Sequence, residues 1–145
     1  MALHDDMQQI GVQARKAADA LRPLTRAIKD AALCEIARRL RASHETLIAE
    51  NRKDLDAGRT KGLTGALLDR LELNPKRIDA MAEGLEVVAA LPDPVGEVVS
   101  QTVRPNGLRI AQIRQPIGVV GIIYESRPNV TADAAGLCLK SGNAC

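Results

Sequence analysis

The stretch from Ile117 to Cys145 constrains the fold more than any other part of the chain. An apolar run, Val119, Val120, Ile122 and Ile123, leads into a polar turn at Tyr124 to Asn129 and then into a helical pattern. Such a run suits a parallel strand covered on both faces better than a half-exposed one. Asn129 or Thr131 is placed to cap the helix, Ala132 to Leu139 form its body, and Gly142 stops it. One parallel strand with one crossover helix has no sheet to join by itself. Ala144-Cys145 falls where a second parallel strand would begin, so the expectation is an N-terminal piece of a longer α/β chain. Ligands of open α/β sheets bind beyond the carboxyl ends of the strands, which is where this turn would lie.

The residues before it divide into two regions. Positions 1–94 read as helices separated by punctuation. Asp5 or Asp6 can cap a first helix that Pro23 interrupts. From Thr25 the positions Ile28, Ala32, Ile36 and Leu40, with Leu33 and Ala37 beside them, recur at helical spacing. That pattern places Cys34 on the apolar side and Arg26, Lys29, Arg38, Arg39 and Arg41 on the outer side. Ser43 can cap a helix that Gly58 and Gly62 end, a short helix runs from Thr64 to Leu71, and Asn74-Pro75 starts one that reaches Leu91. Positions 95–116 then predict a β-hairpin around Pro105-Asn106-Gly107, with the Asn-Gly pair in a type I′ turn. Leu108 and Ile110 share one face of it and Ile113 the other, so both faces would be partly covered, as at an interface.

Composition excludes several function classes. With no Trp, no Phe and a single Tyr, the chain offers bases nothing to stack on. The formal charge of +2, from 20 basic and 18 acidic residues, gives no field that would draw nucleic acid. No signal-peptide pattern opens the chain and no apolar run approaches the roughly 20 residues of a membrane span, which predicts a soluble, cytoplasmic protein. Three cysteines at irregular spacing, Cys34, Cys138 and Cys145, predict free thiols, and with His4 and His44 distant they predict no metal site.

Two apparent motifs dissolve on placement. Gly118-Val119-Val120-Gly121 has its glycines before or within the strand, where a dinucleotide-binding turn would follow it. Lys140-Ser141-Gly142 ends a helix and so presents carbonyls, which repel phosphate. The turn itself is different, because Glu125, Ser126, Arg127 and Asn129 bring an acid, a hydroxyl, a guanidinium and an amide together around Pro128. A purely structural turn needs only a cap, so this one is a candidate ligand loop.

The residues Gln115 to Ala135, continuing through Leu139-Lys140-Ser141-Gly142-Asn143, resemble the gamma-glutamyl phosphate reductase family of the aldehyde dehydrogenase superfamily. A looser likeness runs over Ala49-Glu50-Asn51, Asp54-Leu55 and Arg104 to Leu108, and the whole covers about the first third of such an enzyme. The resemblance implies an α/β fold in which helices and a hairpin of the oligomerisation type precede the first strand-turn-helix of a Rossmann-like parallel sheet. It implies NADPH-dependent reduction of L-glutamate 5-phosphate to the 5-semialdehyde and phosphate, a step of proline biosynthesis, in a homo-oligomer that can associate with glutamate 5-kinase. A cysteine thiolate attacks the acyl carbon in that superfamily, and hydride then comes from the nicotinamide. By the same resemblance Asn129 is the catalytic oxyanion donor and Ile123, Tyr124 and Glu125 line the NADP cleft; Ser126 and Arg127 are candidates for the substrate on their own chemistry and not by the resemblance. None of the three cysteines matches the nucleophile's context, so this chain alone is expected to be inactive. A non-catalytic assembly module is the competing expectation.

Overall fold

The structure is a computed structural model that describes residues 3–125 and 127–145. Five helices come first, α1 (Leu3–Leu21), α2 (Arg26–Ala42), α3 (His44–Thr60), α4 (Gly65–Leu71) and α5 (Pro75–Ala90). A hairpin of β1 (Val98–Val103) and β2 (Arg109–Ile113) follows, and α6 (Pro128–Lys140) closes the order. The core lies where α2, α5 and α6 cross, around Leu33, Ala37, Ala82, Leu85 and Ala89. Small residues let these helices approach closely. A Cβ on Gly136 of α6 would stand 2.5 Å from Leu85 Cδ2, inside any tolerable contact.

Helix α2 buries a different face from the one its apolar periodicity suggests. Lys29, Leu33 and Ala37 are buried, whereas Ile28, Ile36 and Cys34 are exposed. The reason is electrostatic as well as apolar. Lys29, only 1% exposed, donates to Asp93 Oδ2 at 2.6 Å and to the Lys140 carbonyl at 3.1 Å. Lys140, 3% exposed, donates in turn to Asp30 Oδ1 at 2.5 Å and to the Ala89 carbonyl at 2.7 Å. A buried ammonium is tolerated only with such partners, and these tie α2, α6 and the segment after α5 together.

Two further expectations need correction. Gly58 does not end α3; it lies inside the helix, where its missing side chain makes room for Leu63 and Leu68, and Gly62 at φ +78 is the stop. The hairpin turn is not type I′, since Gly107 N–H bonds the Arg104 carbonyl and so puts Pro105 in the first central position. Proline cannot take the positive φ that type I′ demands there, and Gly107 at φ +85 closes a three-residue connection instead. Both strands are exposed along their whole length, and nothing among the described residues covers either face.

The apolar run after the hairpin forms one parallel bridge, Val119 to Ala144, where a full strand was expected. Val120 N–H bonds the Ala144 carbonyl and Ala144 N–H bonds the Gly118 carbonyl, each at 2.9 Å, while Asn143 Oδ1 accepts from Gly118 N–H at 2.8 Å. The parallel pairing thus begins where Ala144 arrives. Ile122 and Ile123 remain exposed, since no backbone among the described residues pairs with theirs.

Candidate functional site

The start of α6 is built by its own sequence. Arg127 is extended at φ −136, Pro128 occupies the first turn where its missing N–H costs nothing, and Asn129 follows inside the helix. Neither Asn129 nor Thr131 is the cap. Asn129 Nδ2 instead donates to Asp133 Oδ2 at 3.1 Å, one turn on, and the Tyr124 hydroxyl shares a 2.6 Å hydrogen bond with Thr131 Oγ1. The first bond lies within α6 itself, and the second fastens the turn to the helix.

Opposite lies the connection between α4 and α5. Asn51 of α3, 4% exposed, grips it from beneath: its Nδ2 donates to the Leu71 carbonyl at 2.8 Å and its Oδ1 accepts from Leu73 N–H at 2.7 Å. Asn74 caps α5 by accepting from Arg77 N–H at 2.9 Å. The Arg77 guanidinium donates to the Asp69 and Glu72 carbonyls and, at 2.8 Å, to Asp69 Oδ1. This stretch has no strand or long helix of its own, so its shape depends on those bonds.

Between the two walls opens a cavity of about 390 Å³. Arg127, Pro128, Asn129 and Asp133 of α6 and its turn line it, together with Asp69, Arg70, Glu72, Leu73, Arg77, Ala80 and Met81 of α4, α5 and their connection. Asn129 and Arg127 of the ligand turn are thus brought together with a cluster that sequence reasoning missed. No local signal joins positions 69–77 to 127–133, since only the packing of α5 against α6 brings them side by side. Ile123, Tyr124 and Glu125 are exposed on the turn outside this cavity, and Ser126 lies outside the described residues.

None of the cysteines lines the cavity. Burial, and next the neighbouring Cys145, pushes the Cys138 thiol up, away from the thiolate a nucleophile needs. At the far end of α6, burial pushes the Asp93 carboxyl up, but hydrogen bonds from Lys29 and Val95 N–H outweigh it and leave it below the usual range.

No protein-family model matches the chain. It is 61% identical over 138 residues to the gamma-glutamyl phosphate reductase of Rhodospirillum rubrum, covering 95% of this chain and 32% of that protein. The corresponding protein of Moorella thermoacetica is 58% identical over 139 residues, covering 96% and 33%. Crystal structures of gamma-glutamyl phosphate reductases from Thermotoga maritima and Saccharomyces cerevisiae superpose with TM-scores of 0.86 and 0.89 at 49% and 36% identity. They match 90% and 94% of this chain, and it matches 31% and 35% of theirs. The chain spans about a third of the length of the curated relatives it matches. Helices, hairpin and a just-begun parallel pairing in this order are an incomplete α/β dehydrogenase fold. Over the third of their length that it spans, the chain matches the gamma-glutamyl phosphate reductases in both sequence and fold.

Proposed function

We propose that the chain supplies one wall of the active site of an NADPH-dependent gamma-glutamyl phosphate reductase, which converts L-glutamate 5-phosphate to L-glutamate 5-semialdehyde and phosphate in proline biosynthesis. The observation that carries this reading is the cavity, where Asn129 at the start of α6 faces a space of about 390 Å³ ringed by guanidinium and carboxylate groups. That volume is within the range of small-molecule sites. Attack on an acyl phosphate puts negative charge on the carbonyl oxygen, and a side-chain amide already fixed beside it stabilises that charge. Asp133 holds the Asn129 amide by one N–H and leaves the other to donate. Arg127, on the same side, suits the leaving phosphate.

Ile123, Tyr124 and Glu125 are assigned to the nicotinamide side. The exposed Ile123 and the half-exposed Tyr124 ring fit a flat aromatic partner, and the Thr131 bond holds that ring against α6. When bound, the nicotinamide supplies hydride to the acyl carbon. The acyl-accepting thiolate belongs to the part of the reductases that this chain does not span, and the 145-residue chain alone is inactive. The open hairpin, with Val98, Val103, Ile110 and Ile113 exposed, supports subunit association, and it also favours the assembly-module reading as a second role. Among the described residues no helix is long and apolar enough to cross a membrane. A cytoplasmic homo-oligomer that receives its substrate from an associated glutamate 5-kinase completes the proposal.

The test uses a full-length protein that carries this segment, run in the oxidative direction with glutamate 5-semialdehyde, inorganic phosphate and NADP⁺. Phosphate-dependent formation of NADPH, faster than NADH formation from NAD⁺, is expected. Turnover that ignores phosphate, or none, overturns the reading.

A further inference from the structure

The cavity is lined by the start of α6 on one hand and by residues of α4, α5 and their connection on the other. If Asn129 meets the carbonyl oxygen, a glutamyl group must extend from there, and its α-carbon end must be held somewhere. In that group the acyl carbon and the α-carboxylate carbon are four bonds apart, about 5 Å when extended with carbon–carbon bonds of about 1.5 Å. A cavity of about 390 Å³ accommodates that reach, and residues of α4 and α5 line it together with Asn129.

Three guanidinium groups line the space, and their circumstances differ. Arg77 is committed, since it donates to the Asp69 and Glu72 carbonyls and to the Asp69 carboxylate. Arg127 adjoins Asn129 and belongs to the reacting end. Arg70, in the last turn of α4, has no ion pair or hydrogen bond among the described residues. Its backbone sits in the segment that Asn51 and Arg77 pin from two directions, so the side chain springs from a fixed base. Asp69 and Glu72 flank it, which gives this end of the cavity both signs of charge, as a zwitterionic amino-acid group demands.

We infer that Arg70 binds the α-carboxylate of the substrate and thereby selects an α-amino-acid acyl group over simple acyl groups. The inference rests on the reductase reading above and deepens it. It gives Arg70 a specificity role that the turn and its neighbours cannot supply, since they address the acyl and phosphate groups common to any acyl phosphate.

The experiment compares two substrates of the full-length enzyme in the phosphate-dependent oxidation, glutamate 5-semialdehyde and 4-aminobutanal, which lacks only the α-carboxylate. The wild-type enzyme should prefer the semialdehyde in kcat/KM by roughly 10- to 100-fold, the worth of one charge-assisted hydrogen bond. Arg70→Ala should erase that preference by lowering the semialdehyde value, with the KM for NADP⁺ unchanged, and Arg70→Lys should restore part of it. A preference that survives in Arg70→Ala, or a loss shared equally by both substrates, overturns the assignment while leaving the reductase reading intact. Absence of phosphate-dependent turnover in the wild type overturns the reductase reading itself, and this inference with it.

Discussion

The contact of Gly136 with Leu85 sets how closely α6 approaches α5, and through them how wide the cavity opens, so it is the packing detail worth perturbing. A methyl group at Gly136 would begin 2.5 Å from Leu85 Cδ2 and 3.6 Å from Leu33 Cδ2. Carbon atoms settle at about 3.5–4.0 Å, so the Leu85 methyl must retreat by about 1 Å. Leu85 is only 1% exposed and Leu33 lies behind it, so the strain passes into the core. Overpacking of this kind costs about 1–3 kcal/mol, whereas alanine gains about 1 kcal/mol over glycine inside a helix. Gly136→Ala should therefore be destabilising by about 1 kcal/mol. Leu85→Ala should cost about 2–5 kcal/mol by leaving a void. In the double variant the new methyl occupies part of that void and the helix gain survives, so Gly136→Ala becomes stabilising by about 1 kcal/mol in the Leu85→Ala background. Urea unfolding of the chain followed by far-ultraviolet circular dichroism, read as midpoint and slope, measures all four corners of the cycle. Equal effects of Gly136→Ala in both backgrounds, within about 0.5 kcal/mol, would refute the reasoning.

Other expectations follow from single environments. Hydrogen bonds from Arg38 and then Arg39 hold the Glu35 carboxyl down to about 2 against an ordinary 4.5. Its stabilising effect is thus fully present above pH 4.5 and is lost as pH falls toward 2, and a carboxyl carbon titrating by NMR near 4.5 would contradict this. Iodoacetamide should label exposed Cys34 and Cys145 well before Cys138, whose thiol burial pushes up; equal rates would show that the end of α6 is open. With Ile122, Ile123 and the hairpin exposed, the 145-residue chain should self-associate in sedimentation velocity, and a monodisperse monomer at high concentration would count against that.

The parts of the fold legible in the sequence were those written in local chemistry. Asn74-Pro75 starts α5, Gly142 at φ +74 ends α6, and Pro105-Asn106-Gly107 turns the hairpin, each because the residue's own backbone preference decides the matter. Where the outcome depended on distant groups, local pattern misled. Lys29 looks like an outer-face lysine until Asp93 and the Lys140 carbonyl reach it, and the buried face of α2 turns with it. Val119 to Ile123 has the composition of a covered strand, yet composition supplies no neighbour, and among the described residues Ala144 alone pairs with it. The site divided in the same way. Arg127 and Asn129 stood out as a dense polar turn, but Asp69, Arg70 and Arg77 look like ordinary helix-end charges until α5 carries them across to α6.

The proposed active site depends on Asn129 working as an oxyanion donor and not as a helix-start residue alone. It is tested most directly by turnover of the full-length reductase carrying Asn129→Ala. Loss of one such donor predicts a fall in kcat of about 100- to 1,000-fold, with the dissociation constant for NADPH nearly unchanged. A kcat within a few-fold of the wild type, accompanied only by a lower melting temperature, would show that Asn129 does no more than brace the first turn of α6.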